Sequence, residues 1–290
     1  MDGNAFEQYR GTIESLGYRM LGSRADAQDI AQDTYLRWRN SQPTEVRSMK
    51  SWLLKTASRL AIDRLKSAQR QRVAYVGPWL PEPLLVDEAS PDKQAMVDDT
   101  VTIALMLAME RLSPAERAAF LLHDVFGLTF NEIAEVLEKS APACRQLATR
   151  ARASLREQRP RYDFDSERHA HLLEAFLGAC KSGDLEQLKS LLASDVTVVS
   201  DSGGKVLSAR RVLETPDKAG RFFVGVFAKA HKRGMVSEAH WTAFNGLPAL
   251  YLVHNGGVHS AFSLSVVDGK IQSVFVHRNP DKLAQIGLGN

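Results

Sequence analysis

Residues 112–155 read "LSPAERAAFLLHDVFGLTFNEIAEVLEKSAPACRQLATRARASL", and the fold turns on them. Ser113 with Glu116 forms a capping box with Pro114 at the first turn, which predicts a helix to about Val125 with Gly127 as its stop. Thr129 opens a short helix with Ile133, Ala134 and Leu137 on one face, and "EKSA" turns the chain into a longer one. On that last helix Cys144, Leu147, Ala148, Ala151 and Leu155 make a packed face, leaving Arg145, Gln146, Thr149, Arg150, Arg152 and Arg156 outward. Pro142 is tolerated near the start, where no intrahelical N–H bond is lost. Short helix, tight turn and basic outward helix make a helix-turn-helix. An Arg/Gln/Thr face suits the major groove, because Arg grips guanine edges, Gln adenine edges and Thr a thymine methyl.

Working outward, 290 residues are long for one compact domain, so two or three are expected. No apolar run approaches the ~20 residues of a membrane span, the start "MDGNAFEQYR" lacks an apolar targeting core, and Cys144 and Cys180 make no metal-ligand spacing. These features predict a cytoplasmic, disulfide-free protein with no membrane association, no metal and no cofactor. Net charge is only +3, but it is unevenly spread. Residues 50–72 hold seven Lys/Arg against Asp63 alone, and residues 142–161 hold six Arg against Glu157 alone. Solvated helix faces are the plain alternative.

Toward the N-terminus, "FEQYRGTIESLGYRMLG" and "RADAQDIAQDTYLRWRN" read as a helical hairpin, with Asp26, Asp29, Gln32 and Asp33 off the apolar stripe of the second helix. "SWLLKTASRLAIDRLKSAQRQR" follows as a third helix, its buried stripe expected at Trp52, Leu53, Ala57, Leu60, Ala61 and Leu65, with Lys55, Arg59, Arg64 and Lys66 outside. Between this helix and the helix-turn-helix lies "GPWLPEPL" at 77–84. Its prolines preset an extended backbone at low ordering cost, and Trp79, Leu80 and Leu84 offer apolar area to bury. A stiff spacer is the competing reading.

Beyond "RPRYDFDSERH" the chain changes character. From Tyr162 it holds 14 Lys/Arg and 13 Asp/Glu, so DNA is not the partner expected of this part. Two helices, a strand pair turning on Ser202 to Gly204, a further helix and four alternating strands with Gly-rich hairpin turns predict an α+β domain with a curved antiparallel sheet. His240, His254, His259 and His277 are the available bases, but no acid–base pair stands at a defensible spacing, and the reading is that the chain is not an enzyme and has no catalytic residues.

The combination resembles a bacterial sigma factor of the extracytoplasmic-function (ECF) type: "RADAQDIAQDTYLRW" is similar to region 2.2, "SWLLKTASRLAIDRLKSAQRQR" to regions 2.3 and 2.4, and residues 112–155 to region 4. "WLPEPL", "DSGGK" at 201–205 and "NPDKL" at 279–283 resemble the motifs of the subgroup with a SnoaL-like C-terminal extension; Ser202 departs from the usual triple glycine. The resemblance implies a multidomain chain: two all-α sigma domains (region 2 at 1–72, region 4 at 98–161) joined by a linker at 73–97, then a SnoaL-like cone domain at 166–283. It implies that Asp29, Gln32 and Asp33 meet the clamp helices of the largest core RNA polymerase subunit, with the flap as a further contact. It implies −10 recognition by the loop from Val46 to Lys50 and by Lys50, Trp52, Lys55, Arg59, Asp63 and Arg64, and −35 recognition by Arg145, Gln146, Thr149, Arg150 and Arg152. Trp38 and Trp52 stand equally well as core residues or as stacking surfaces for an unstacked base. The regulatory contact is expected at Trp79, Leu80, Pro81, Glu82 and Pro83 with Asp201, Gly203, Gly204, Lys205, Asn279, Pro280, Asp281 and Lys282. Core polymerase and promoter DNA are the implied partners, without a separate anti-sigma factor, and an unidentified small ligand of the C-terminal domain is kept open. The competing reading is a one-component helix-turn-helix regulator with a ligand-sensing or vestigial cyclase-like domain.

Overall fold

Helix-forming periodicity dominates the first half of the chain and strand alternation the second. In the computed structural model, which describes residues 3–41, 48–85, 102–157, 166–284 and 286, each half folds accordingly. The chain divides into two compact units, one of Met1–Ala74, Asp87–Val101 and Leu105–Arg159, the other of Tyr75–Val86, Thr102–Ala104 and Pro160–Asn290.

In the first unit α1 (Gly3–Leu21), α2 (Arg24–Ser41) and α3 (Met49–Val73) pack together over Ile13, Leu16, Ile30, Leu53 and Leu65. A Cβ at Gly17 would lie 2.9 Å from Ala27 Cα, so glycine allows the first two helices their close approach. The buried face of α3 is broader than its expected stripe. Trp52 and Leu60 are only half-buried, whereas Leu54, Ser58 and Ile62 are buried. The reason is that α3 is covered from two sides, by α1 and α2 and by the helix-turn-helix described next.

That second group comprises α4 (Ile103–Met109), of which the part from Leu105 onward belongs to this unit, α5 (Pro114–Phe120) extended by a π-turn over Leu121–Val125, α6 (Phe130–Leu137) and α7 (Ala141–Glu157). Both expected caps form: Ser113 with Glu116, and Thr129 with Glu132 in a second capping box. Glu138 at φ 53° makes the turn into α7. The packed face of α7 is as read, while α6 buries Ile133 and Val136 and leaves Ala134 and Leu137 half-buried.

In the second unit α8 (Ser166–Ser182), α9 (Leu185–Leu191) and α10 (Pro216–Lys232) pack with a six-stranded sheet ordered β2-β1-β6-β5-β4-β3. The strands are β1 (Leu192–Asp201), β2 (Leu213–Glu214), β3 (Glu238–Phe244), β4 (Leu247–His254), β5 (Gly257–Val267) and β6 (Lys270–His277). The last four form an antiparallel meander. Its turns are Asn245-Gly246, Asn255-Gly256 and Asp268-Gly269, each with positive φ at both residues, as tight two-residue hairpins need. Two expectations are corrected. The sheet is mixed, because β1 lies parallel to β6: the chain leaves β1 through the long α10 crossover that parallel neighbours require. The strand pair expected to turn on Ser202–Gly204 does not form either. The Asp201 side chain turns to the Gly203 N–H and Lys205 reaches Asp281, so the chain leaves the ladder and pairs again only at Leu213–Glu214. Phe176 and Phe223 meet edge to face at 4.9 Å in the core beneath the helices, each burying about 1.5–3 kcal/mol of side chain.

Candidate nucleic-acid interface and linker lock

Arg145 and Gln146 stand exposed in the first two turns of α7, the end of a recognition helix that meets base edges. Arg145 lies over the Phe130 ring at 5.3 Å, which orients its guanidinium without neutralising it. The arginines further along are held differently. Arg150 pairs with Glu116 at 2.9 Å and Arg152 with Asp124 at 2.9 Å. Glu116, below the usual carboxylate range through its Ser113 hydrogen bond, stays charged for this pairing. Thr149 spends its hydroxyl on the Arg145 carbonyl at 2.9 Å. The structure therefore brings all five −35 candidates onto one helix and, among the described residues, pairs Thr149, Arg150 and Arg152 with a backbone carbonyl or a carboxylate, while Arg145 meets an aromatic ring.

On α3, Ser51 donates to Glu132 at 2.6 Å, Lys55 pairs with Glu135 at 2.8 Å and Arg59 donates to the Glu135 carbonyl at 2.6 Å. The Ser51 bond is the largest cause holding Glu132 below the usual carboxylate range. Two −10 candidates thus face the first helix of the helix-turn-helix within the same compact unit. Lys50 is exposed, Asp63 pairs with Lys66 at 3.2 Å, and Trp52 meets Trp38 at 5.2 Å edge to face. Residues 46 and 47 of the expected −10 loop lie outside the described residues.

Arg64 departs from its expected company. It reaches Asp26 at 3.4 Å, Asp29 at 3.2 Å and Asp33 at 3.5 Å, so it sits among the acids read as a polymerase contact, while Gln32 stays exposed beside them. Sequence reading also missed a buried network. Glu110 accepts from Arg117 at 2.6 Å and pairs with Arg72, which also donates to the Leu21 carbonyl at 2.5 Å. Burial lowers the Arg117 pKa, an effect that the Glu110 carboxylate opposes.

The second unit gathers the remaining motif residues around one carboxylate. Asp201, fully buried at the end of β1, accepts from Tyr75 Oη at 2.6 Å, Leu80 N at 2.9 Å, Lys282 Nζ at 2.7 Å and Gly203 N at 3.1 Å. Lys282, on the short α11 (Pro280–Leu283), also donates to the Leu80 carbonyl and lies 4.5 Å from the Trp79 ring centroid. Asn279 caps α11 by accepting from Asp281 N and donates to Tyr75 Oη at 2.9 Å. Burial, then the bond to Asp201, raises the Tyr75 pKa and keeps the phenol protonated as a donor. Leu80, Pro81, Pro83 and Leu84 are buried, and Glu82 is half-buried. Leu84 and Asn245 exchange two hydrogen bonds, at 3.0 and 2.9 Å, and Leu85 bridges Phe244 on the edge strand. Gly203 and Gly204 have φ +58° and +72°, and Cβ atoms there would approach Asn279 Nδ2 to 2.7 Å and Val76 Cβ to 2.8 Å. Lys205 ties the same turn to Asp281. Tyr75 and Asn245 were not foreseen: the first precedes the proline motif, and the second reads as an ordinary Asn-Gly turn.

Of the four histidines, His254 and His259 lie edge to face at 6.4 Å. His277 is fully buried with neither ring nitrogen hydrogen-bonded, and burial pushes it down to about 3. His259, between Ser237 and Ser260, is pushed down to about 4, first by burial and then by Arg278. His240 stacks on Tyr251 at 5.0 Å, and His254 reaches the Val236 carbonyl at 2.8 Å. Thr102, Ile103 and Ala104 pack in this unit near Phe244, Ser263 and Phe275 around a cavity of about 10 Å³, room for one water at most.

Comparison with known proteins adds to this geometry. Residues 5–71 match the family described as Sigma-70 region 2, and residues 102–155 match Sigma-70, region 4. The chain is 36% identical over 292 residues to the ECF RNA polymerase sigma factor SigJ of Mycobacterium tuberculosis, covering 97% of this chain and 93% of that protein. It is 30% identical to the probable ECF RNA polymerase sigma factor SigI of the same species, over 98% and 97% of the two chains. The crystal structure of SigJ superposes with a TM-score of 0.78 at 33% identity, covering 98% of each chain.

Proposed function

The chain belongs to the extracytoplasmic-function RNA polymerase sigma factors, and from that premise we propose how its residues divide the work of promoter recognition. Asp29, Gln32 and Asp33 on α2 engage the clamp helices of core RNA polymerase, Arg64 holding the acids in place until the partner's basic groups replace it. Lys50, Trp52, Lys55 and Arg59 handle the −10 element. Arg145 and Gln146 read base edges at −35, while Arg150 and Arg152, already charge-paired, serve the phosphates beside them. The polymerase flap takes region 4. The assignment runs with region 2 at 1–72, the linker at 73–97, region 4 at 98–161 and a SnoaL-like regulatory domain at 166–283. The protein works in the cytoplasm, where the polymerase is, and the second unit acts by contact and not by catalysis. No helix among the described residues is long and apolar enough to cross a membrane.

One observation carries the regulatory part: the buried Asp201 carboxylate takes two of its four hydrogen bonds from the linker, at Tyr75 and Leu80. A C-terminal domain that grips the linker governs the freedom of regions 2 and 4, and so replaces a separate anti-sigma factor. Run-off transcription with core polymerase tests this. Trp79→Ala and Asp201→Asn should shift transcript yield in the same direction while core binding persists. Unchanged yield in both would reduce the linker to a spacer.

A further inference from the structure

Near-neutrality of the C-terminal domain conceals a local excess. Between residues 205 and 233 eight Lys/Arg face only Glu214 and Asp217. Four of the eight, Lys218, Arg221, Lys229 and Lys232, are exposed on α10. At 3.6 residues per turn they fall within about 80° of the helix circumference, and at 1.5 Å per residue the row is about 21 Å long. The opposite side of α10 buries Ala219, Gly220 and Phe223. Arg210 and Arg211 stand exposed in the loop before it.

A helix dipole accounts for only part of this row. Lysines in the last turn are favoured by the negative helix end, but Lys218 lies in the first turn, where positive charge is unfavourable. Arg221 is answered by Asp217 at 2.8 Å. A second feature points to a partner. Gly225 falls inside the same arc, in the helix interior, where glycine weakens a helix. Its missing Cβ relieves no internal crowding, since an added one would meet nothing within 4 Å. A glycine there clears the middle of a basic row for something approaching from outside.

We propose that this face of α10 binds the phosphate backbone of duplex DNA without regard to sequence, giving the protein a third DNA contact. Charge complementarity selects the occupant. The row is mainly lysine, a point charge suited to phosphates, and carries no Asn or Gln to read bases. Its length matches about six base-pair steps of 3.4 Å. Because regions 2 and 4 bring DNA to the same molecule, even a weak site acts at high effective concentration. The proposal rests on the sigma-factor reading and revises the expectation that this domain has no DNA partner.

The test uses the full chain with core polymerase and measures binding to a random-sequence duplex between about 50 and 200 mM salt. Lys229→Gln/Lys232→Gln should flatten the slope of log affinity against log salt by about 1 to 2, following ~0.9 per phosphate lost. Lys229→Arg/Lys232→Arg should restore it, and Gly225→Glu should weaken binding several-fold at low salt without lowering the thermal melt. Unaltered slopes and affinities in the Gln and Glu variants would overturn the proposal. So would loss of core polymerase retention in those variants without DNA, which would make the face a protein contact. If the unmodified chain fails to join core polymerase at all, the sigma-factor reading itself falls, a result distinguishable from a failure of this face alone.

Discussion

Two carboxylate sites in this chain use the same chemistry under opposite conditions. Around Arg64, Asp26, Asp29 and Asp33 gather at the surface, with Arg64 34% and Asp29 66% exposed; around Lys282, Asp201 is fully buried and the lysine only 10% exposed. Exposed pairs are worth ~0–1 kcal/mol because water and salt compete for both partners. Such a cluster holds side chains in place yet releases them readily. A buried pair with every oxygen occupied is different: breaking one side strands a charge. The surface cluster suits an exchangeable docking site, and the buried one suits a lock.

The comparison breaks most easily by charge reversal. Asp29→Lys with Asp33→Lys should abolish retention on core polymerase while the melting temperature barely moves, read by co-purification and a thermal melt; retained binding would remove α2 from the interface. Next in size, Asp201→Ala should cost about 3–5 kcal/mol in denaturant unfolding of the second unit, with Asp201→Asn costing less because its one carbonyl oxygen still accepts two of the four hydrogen bonds. A loss under ~1 kcal/mol would place Asp201 in the surface class.

Acid sharpens the contrast further. His277 is folded-state neutral, with a pKa of about 3 against ~6.5 unfolded, so the unfolded chain takes up the proton first. The contribution of His277 to stability is therefore full above ~6.5 and is lost progressively as pH falls from there toward 3. Unfolding measured at pH 7 and pH 5 should show His277→Leu losing less across that interval than the unmodified chain; an equal loss would assign the acid sensitivity to other groups.

At the DNA face, Arg145→Ala should cost about 1–3 kcal/mol on a matched −35 duplex but not on a scrambled one. Arg152→Ala should weaken both equally, since its guanidinium already answers Asp124. The smallest effect belongs to Glu135→Gln. Freed from its exposed partner, Lys55 should bind a single-stranded −10 oligonucleotide about twofold more tightly, a change of under ~1 kcal/mol; no change would mean that the Lys55–Glu135 pair does not compete with nucleic acid.

Much of the architecture was legible because it is encoded locally. Ser113, Thr129, Gly127 and the three Asn-Gly or Asp-Gly turns act within a few residues, and the helix-turn-helix and meander follow from them. What escaped depends on residues distant in sequence. The parallel β1–β6 pairing joins strands separated by the whole of α10 and the meander. The Arg72–Glu110–Arg117 network and the hold of Glu135 on Lys55 likewise need tertiary contacts that no periodicity displays. The motifs at 77–84, 201–205 and 279–283 could be quoted from the sequence, but that one carboxylate gathers all three needed coordinates.

The separation built into that gathering has a consequence during protein synthesis. Tyr75 precedes Asp201 by 126 residues and Asn279 by 204. At about 5–20 residues per second the ribosome takes roughly 6 to 25 s to make the first interval. Only after Glu157, the end of α7, has been made does the nascent chain carry its finished promoter-reading helices while Asp201, the partner of its linker, does not yet exist. Each new copy therefore passes through an interval in which the linker has no Asp201 to hold it, and that contact network is completed only once Asn279 and Lys282, beyond the last strand, have been made.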